Sequence, residues 1–466
     1  MARIVIIGGG PAGYEAALVA AQHGADVTVV EETGMGGACV LYDCVPSKTF
    51  ISSAGVKVGL RWGADLGIQA DWDEIGVDTT VVHSRVKSLA LAQSADVRAR
   101  LEREGVRLVA GRARLADEAV GRSEHRVSVT TADGAEELAA DVVLLATGAS
   151  PRVLPDARPD GERILSWRQI YDLDELPTEL VVVGSGVTGA EFASAYTELG
   201  VKVTLVSSRD RVLPGEDADA AAVLEDVFAD RGVQLVKDAR AEKVERTDDG
   251  VRVHLADGRT VAGSHALMTV GSVPNTGDLG LEKVGIELDR GGYISVDRVS
   301  RTSVPGIYAA GDCTGLLPLA SVAAMQGRIA MWHALGEGVA PIKLKTVASA
   351  VFTRPEIATV GISQRAIDAG EVPARTITLP LATNPRSKMQ GLRRGFVKLF
   401  CRPATGAVIG GVVVAPVASE LVLPIAIAVQ NNLTVTDLAQ TFSVYPSLSG
   451  SITEAARQLM RHDDLG

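Results

Sequence analysis

Two of the four cysteines in this 466-residue chain stand five positions apart, in Gly36-Gly37-Ala38-Cys39-Val40-Leu41-Tyr42-Asp43-Cys44-Val45-Pro46-Ser47-Lys48. A C-x4-C pair with two glycines before it and Pro-Ser-Lys after it has the composition of a redox site. In a regular helix, residues five apart lie roughly 7.5 Å apart along the axis, at or beyond disulfide reach. Bridging Cys39 to Cys44 therefore requires a distorted turn. Gly36 and Gly37 permit unusual backbone angles, and Pro46 biases Val45 away from helical geometry. A strained, accessible disulfide is one that can be reduced. The spacing equally allows two unbridged packing thiols, so the surrounding sequence has to decide.

The elements that would position such a pair begin at the N-terminus. Arg3 to Ile7 reads as an apolar strand, Gly8-Gly9-Gly10-Pro11-Ala12-Gly13 as a G-x-G-x-x-G turn, Ala16 to Ala21 as helix, and Ala25 to Val30 as a second strand ending in Glu31. The glycines let a pyrophosphate approach the backbone at the positive end of the helix. An acid about 20 residues on can hold a ribose hydroxyl pair, and Glu31 follows Gly8 by 23 positions. This is a dinucleotide-binding unit.

The unit occurs twice. Leu180 to Val183 leads into Gly184-Ser185-Gly186-Val187-Thr188-Gly189 and a helix containing Glu191, followed by an apolar run from Val201 to Val206. Counting 23 residues from Gly184 reaches Ser207, where the first unit has its acid. With Ser208, Arg209 and Arg211 beside it, this site is expected to accommodate a 2′-phosphate, giving NADPH use with some tolerance of NADH. The arginines have an alternative reading as solvated surface residues.

Other stretches fit the same plan. A helix is expected within residues 75 to 115, with Val81, Val82, Val86, Leu89 and Ala90 as core positions. Residues 125 to 145 alternate like strands and end in Ala146-Thr147-Gly148, a small-residue turn that allows close approach to a cofactor. Residues 250 to 275 repeat this pattern through Val270-Gly271-Ser272-Val273-Pro274-Asn275. Gly306 to Gly311 then presents Asp312 at a strand end, as a polar contact for a cofactor or as an ordinary cap. Cys313 and Cys401 read as small buried hydrophobes.

The net charge of −11, without long runs of one sign, argues against a nucleic-acid partner, and 46% hydrophobic content is ample for about three domains. The apolar run from Leu421 to Val429 is broken by Pro424 and is too short to span a bilayer. A strand pattern at the very N-terminus and the scarcity of cysteine lead to the expectation of a cytoplasmic protein. No Cys/His cluster with metal-ligand spacing is apparent.

Taken in order, the first glycine unit, Gly-Gly-x-Cys-x4-Cys-x-Pro-Ser-Lys, Ala-Thr-Gly, the second glycine unit with Glu191, Ala-Ala-Gly-Asp, Phe352-Thr353-Arg354-Pro355-Glu356 and Gly395-Phe396-Val397-Lys398 resemble the flavoprotein disulfide reductases. This is the group of lipoamide dehydrogenase and glutathione reductase, and the resemblance covers essentially the whole chain. It implies an α/β fold with two Rossmann-like domains, for FAD and NAD(P)H, and an α+β dimerisation domain. The expected boundaries are 1–150 and 276–345 for the FAD domain, 151–275 for the NAD(P)H domain and 346–466 for the dimerisation domain.

The resemblance also implies roles. Cys44 would be the flavin-proximal thiol and Cys39 the interchange thiol; Lys48 would pair with Glu191 beside the flavin. Glu31 would hold the adenosine ribose of FAD and Asp312 its ribityl chain. Gly8, Gly10, Pro11, Ala12, Gly13, Gly37, Ala38, Thr147, Gly148 and Gly311 would complete that site. Gly184, Gly186, Val187, Thr188, Gly189, Ser207, Ser208, Arg209 and Gly271 would hold the nicotinamide dinucleotide.

One segment departs from the pattern. Where lipoamide and glutathione reductases carry a His-Pro pair and a glutamate five residues after the histidine, this chain has Tyr445-Pro446 and Gly450. None of its seven histidines lies in Phe442 to Ser451, and the nearest is His462. Phenols titrate far above neutral pH, and loss of such a general acid typically removes ~10²–10⁴ in rate. The pattern is most similar to the lipoamide-dehydrogenase-like NAD(P)H:quinone reductases of actinobacteria. The leading expectation is therefore a homodimeric FAD enzyme passing electrons from NAD(P)H to a quinone. The alternatives are a disulfide reductase using Tyr445 or water as its acid, and a flavin/thiol redox sensor with little turnover.

Overall fold

The computed structural model describes residues 1–61, 66–69, 75–116 and 124–460, with the side chain of residue 61 excepted. His462 lies outside them. Contacts divide the chain into two units: Met1–Thr49, His83–Arg152 and Gly271–Ile342 form one, and Phe50–Val82, Val153–Val270 and Lys343–Gly466 the other.

The first unit is built on five parallel strands, in the order Ile307–Ala309, Val142–Leu145, β1 (Arg3–Ile7), β2 (Asp26–Glu31), Arg107–Ala110. Ile4, Ile6, Val27, Val29 and Leu144 point to one face of this sheet and Val5, Ile7, Val30, Val143 and Leu145 to the other, each within its own buried cluster. Burial on both faces is why these strands read as continuous apolar runs. Helix α1 (Pro11–Gln22) covers the first face together with the helix Ala320–Ala334. Register pairs Ile7 with Val30, so the glycine turn and Glu31 emerge side by side at the carboxyl edge.

Helix α2 (Gly37–Leu41) and helix α3 (Cys44–Arg61) follow β2, and α4 (Thr79–Arg103) follows them. Of the positions expected to be core in α4, Val86 and Ala90 are buried, but Val81 and Leu89 are 61% and 41% exposed. The buried stripe runs instead through Thr79, His83, Val86, Ala90, Val97 and Leu101, a helical spacing that the clustered valines obscured.

The second unit contains another five-stranded parallel sheet, ordered Gln234–Val236, Lys202–Val206, Glu179–Val183, His265–Met268, Ile164–Ser166. Here Val183 pairs with Val206, which places Gly184 beside Ser207 as Gly8 stands beside Glu31. The C-terminal portion of this unit is an antiparallel sheet ordered Ala348–Val351, Glu356–Gly361, Val408–Ala415, Phe396–Cys401, Arg375–Pro380, packed against Leu423–Asn431 and Gly450–Leu459.

Candidate active site

The first glycine turn is shaped by contacts that no larger residue could make. Gly8 has φ +108°, and a Cβ there would lie 2.3 Å from the Ala146 carbonyl oxygen; one on Gly13 would lie 1.9 Å from that of Gly8. Above Gly10, by contrast, a Cβ would meet nothing within 4 Å. Gly10 caps α1 with no side-chain hydrogen bond and Pro11 occupies the first turn, so amide donors are left for an anion at the positive helix end. Ala12 serves differently: it is buried, and Gly327 of the neighbouring helix packs so close that a Cβ there would lie 2.1 Å from the Ala12 oxygen.

Glu31 organises the loop around this turn. Its carboxylate accepts the amide of Gly9 at 2.6 Å and both the amide and hydroxyl of Thr33 at 2.8 Å. Gly36 donates to the Gly9 oxygen at 2.8 Å, and a Cβ on Gly37 would lie 2.9 Å from Gly10 Cα. The cysteine motif is thereby fastened directly to the dinucleotide turn.

The distorted turn between the cysteines takes a specific form. Helix α2 ends at Leu41, Tyr42 and Asp43 both donate to the Ala38 oxygen, at 2.9 and 2.8 Å, and α3 restarts at Cys44. The two helix ends bring the Cys39 and Cys44 side chains within hydrogen-bond reach of each other. Pro46 does not break helical geometry at Val45, contrary to expectation. It sits in the first turn of α3, where its missing N–H has no intrahelical partner to lose. The Cys39 thiol is pushed far up by its hydrogen bond with Cys44, then by burial and by the charges of Cys44 and Asp43, with Lys48 opposing. Lys48 Nζ also lies 3.3 Å from the Ser47 hydroxyl.

Asp312 opens a short 3-10 turn after Gly311, whose amide donates to Gln326 at 2.9 Å. Burial, with Asp43 nearby, raises the Asp312 carboxyl above the usual range. It accepts no hydrogen bond from any described residue. Thr147 and Asn275 clamp each other, hydroxyl to carbonyl at 2.7 Å and amide to carbonyl at 2.9 Å, while Gly148 adopts φ +67°. Arg152 donates to the Gly271 oxygen at 2.9 Å, next to the antiparallel pairing of Ala149–Pro151 with Ser272–Pro274. Cys313 is fully buried, its thiol pushed up to about 11 by that burial, and Cys401 lies within a buried strand.

An uncapped helix start, open space over Gly10 and a half-buried carboxylate with no donor among the described residues fit a phosphate-bearing cofactor with a hydroxylated chain. FAD has these features.

The second glycine turn repeats the construction. Gly184 has φ +113°, a Cβ on Gly189 would lie 1.8 Å from the Gly184 oxygen, and Gly186 starts the helix Val187–Leu199 without a side-chain cap. Val187 is exposed at that start, beside Thr188. Ser207 is not available to a ligand as expected. It is 1% exposed, and its hydroxyl is shared with Ser185 at 2.7 Å and with the Arg209 oxygen at 3.0 Å. Arg211 likewise turns inward, donating to the Pro214 oxygen at 3.1 Å. Ser208 and Arg209 remain exposed at the strand end.

Glu191 is 3% exposed and accepts the Phe352 amide at 2.9 Å. Three and seven residues on, Ser194 accepts the Arg354 amide at 3.2 Å and Glu198 bonds Arg231 at 2.9 Å. The first two contacts tie the backbone of Phe352-Thr353-Arg354-Pro355-Glu356 to this helix, a role that spacing along the chain does not show. Tyr445 is 81% exposed, and Gly450 begins the helix Gly450–Leu459.

Residues 2–327 match the pyridine nucleotide-disulphide oxidoreductase model, and residues 347–456 match the dimerisation domain of the same oxidoreductases. The chain belongs to the pyridine nucleotide-disulphide oxidoreductases. It is 68% identical to a protein of Mycobacterium tuberculosis named NAD(P)H dehydrogenase (quinone), over 99% of this chain and 95% of that one. Dihydrolipoyl dehydrogenase 2 of Haloarcula marismortui is 33% identical, over 97% of this chain and 96% of its own. Among solved structures, LpdA from Mycobacterium tuberculosis superposes with a TM-score of 0.95 at 66% identity, covering 99% of this chain and 100% of that one. The HOCl-induced flavoprotein disulfide reductase RclA from Escherichia coli, as its Cu(II) complex, gives 0.86 at 25%, covering 98% and 99%. FAD and a nicotinamide dinucleotide are the cofactors of this oxidoreductase family. Among the described residues, no helix is long and apolar enough to cross a membrane.

Proposed function

We propose that this protein is a cytoplasmic NAD(P)H:quinone oxidoreductase, active as a homodimer, in which electrons pass from NAD(P)H through FAD to a quinone. The observation that carries this reading is the segment Phe442 to Ser451, which offers an exposed tyrosine and a glycine and no histidine-carboxylate pair. Without such a pair a thiolate leaving group is poorly protonated, whereas quinone reduction at a flavin needs no thiol proton donor. The name of the Mycobacterium tuberculosis relative supports the same acceptor.

In this reading α1 and the Gly8–Gly13 turn hold the FAD pyrophosphate, Glu31 its adenosine ribose and Asp312 its ribityl hydroxyls. Bound FAD supplies acceptance of a hydride and release of its electrons to a diffusible acceptor. Gly184, Gly186 and Gly189 hold the second pyrophosphate, with exposed Ser208 and Arg209 facing the 2′ position and favouring NADPH. Cys39 and Cys44 form an accessory redox pair.

A second reading has one observation in its favour. The two thiols meet at a helix break, as a pair that cycles through a disulfide must. Anaerobic oxidation of NADPH by the FAD-loaded protein, with a soluble naphthoquinone or lipoamide as acceptor, separates the two. Quinone turnover that survives Cys39→Ser, with lipoamide turnover lower by about 10²-fold or more, is expected. Fast lipoamide turnover abolished by Cys39→Ser would make this a disulfide reductase.

A further inference from the structure

Lys398 is 1% exposed on the strand Phe396–Cys401, with its ammonium 5.5 Å from the centre of the Phe396 ring. A lysine is seldom buried to this degree unless it is paired. Its Nζ donates to both oxygens of Asp217, at 2.9 and 2.8 Å, and to Asp219 at 2.7 Å. Asp217 is nearly as buried, its side chain 3% exposed, whereas the side chain of Asp219 is 67% exposed. A buried charge held by one principal partner is a strong geometric constraint, because separating the pair strands a charge away from water.

What Asp217 holds gives the constraint its consequence. It caps the helix Ala218–Asp230, accepting the amides of Asp219 and Ala220 at 3.0 and 3.2 Å. The ten residues before it form the loop from Ser207 to Glu216, which carries the exposed Ser208 and Arg209. That loop is tied at three further points. Leu213 donates to the Ser185 oxygen of the second glycine turn at 2.8 Å, Val212 to Glu225 of the capped helix at 2.7 Å, and Ser207 shares its hydroxyl with Ser185. One end of the loop is therefore anchored in the glycine turn and the other in the Lys398–Asp217 pair.

We propose that Lys398 is a positioning residue for nucleotide choice: through Asp217 it fixes the 207–216 loop so that Ser208 and Arg209 meet the 2′-phosphate. This rests on the reading of the second glycine unit as the NADPH site. Lys398 touches no nucleotide itself, and its effect falls on the 2′ end rather than on the pyrophosphate, which the helix start at Gly186 holds.

Calorimetric titration of the FAD-loaded protein with NADP⁺ and NAD⁺ tests this without turnover. In wild type, NADP⁺ is expected to bind more tightly; equal or tighter NAD⁺ binding would overturn the NADPH reading itself. In Lys398→Met, NADP⁺ binding is expected to weaken by about tenfold or more, since small misplacement of a positioning group is that costly, while NAD⁺ binding stays within about twofold. Asp217→Asn keeps an acceptor for the helix cap and leaves Lys398 held by Asp219; it is expected to show the same selective loss and carries the test by itself if Lys398→Met proves unfolded. In the double variant the two losses should not add, because both act through one pair. Retention of the wild-type NADP⁺/NAD⁺ ratio in folded Asp217→Asn, or equal weakening for both nucleotides, would overturn the role of Lys398.

Discussion

At the scale of single residues, the cysteine motif is governed by the groups immediately beside it. The raised Cys39 thiol has four contributors that raise it and one, Lys48, that lowers it. Removing the charge of Asp43 should bring the thiol down, increase the thiolate fraction and speed alkylation. Asp43→Asn is expected to react severalfold faster with iodoacetamide at Cys39 near pH 8, and Lys48→Met more slowly. Mass-spectrometric timing of labelling on the reduced protein would read both, and an unchanged rate in Asp43→Asn would show that the Asp43 charge does not act on the thiol. Asp43 was legible in the sequence only as a spacer, since nothing in C-x4-C states which way its carboxylate faces. Ser207 illustrates the converse. Its place opposite the glycine turn followed from counting residues, but its hydroxyl is consumed by Ser185, a partner that spacing cannot reveal.

At the scale of elements, close approach decides more than propensity does. Helix α1 and the helix Ala320–Ala334 meet where Gly327 lies against the Ala12 backbone. Gly327→Ala would place a methyl 2.1 Å from the Ala12 oxygen, and neither helix can yield without moving the glycine turn at the start of α1. A loss of about 1–3 kcal/mol in stability is expected, together with weaker FAD retention, measured by denaturant unfolding and by the flavin absorbance left after gel filtration. Unaltered stability would mean that the helices part freely. The two parallel sheets were readable because their strands are apolar throughout and their glycine turns recur at matching intervals. The buried stripe of α4 was not, because Val81 and Leu89 are apolar without being covered.

At the scale of the whole molecule, the match of residues 347–456 to a dimerisation domain and the exposure of Phe442 and Val444 bear on assembly. Light scattering is expected to give twice the mass of one chain. Phe442→Ser with Val444→Ser should shift the balance toward single chains and reduce quinone turnover by about tenfold or more if the partner completes the site. A wild-type chain of single mass would remove the homodimer from the proposal. The chain's two compact units do not coincide with the three expected domains: Val153–Val270 and Lys343–Gly466 share one unit. Phe50–Val82 groups with the nucleotide-binding and C-terminal portions, although it falls inside the first 150 residues.

The sequence by itself determined the two dinucleotide units, the order of the family motifs and the loss of the histidine-glutamate pair, because each is a matter of residue type at a fixed spacing along the chain. Folding settles which of those side chains are engaged within the chain and which stay exposed. Ser207 and Arg211 turn inward while Ser208 and Arg209 do not; Glu191 and Ser194 are engaged by Phe352 and Arg354; and Lys398 reaches Asp217 across 181 positions. Such pairings depend on strand order and on burial, where an unpaired charge or donor is costly. Neither quantity is carried by the local spacing of residues.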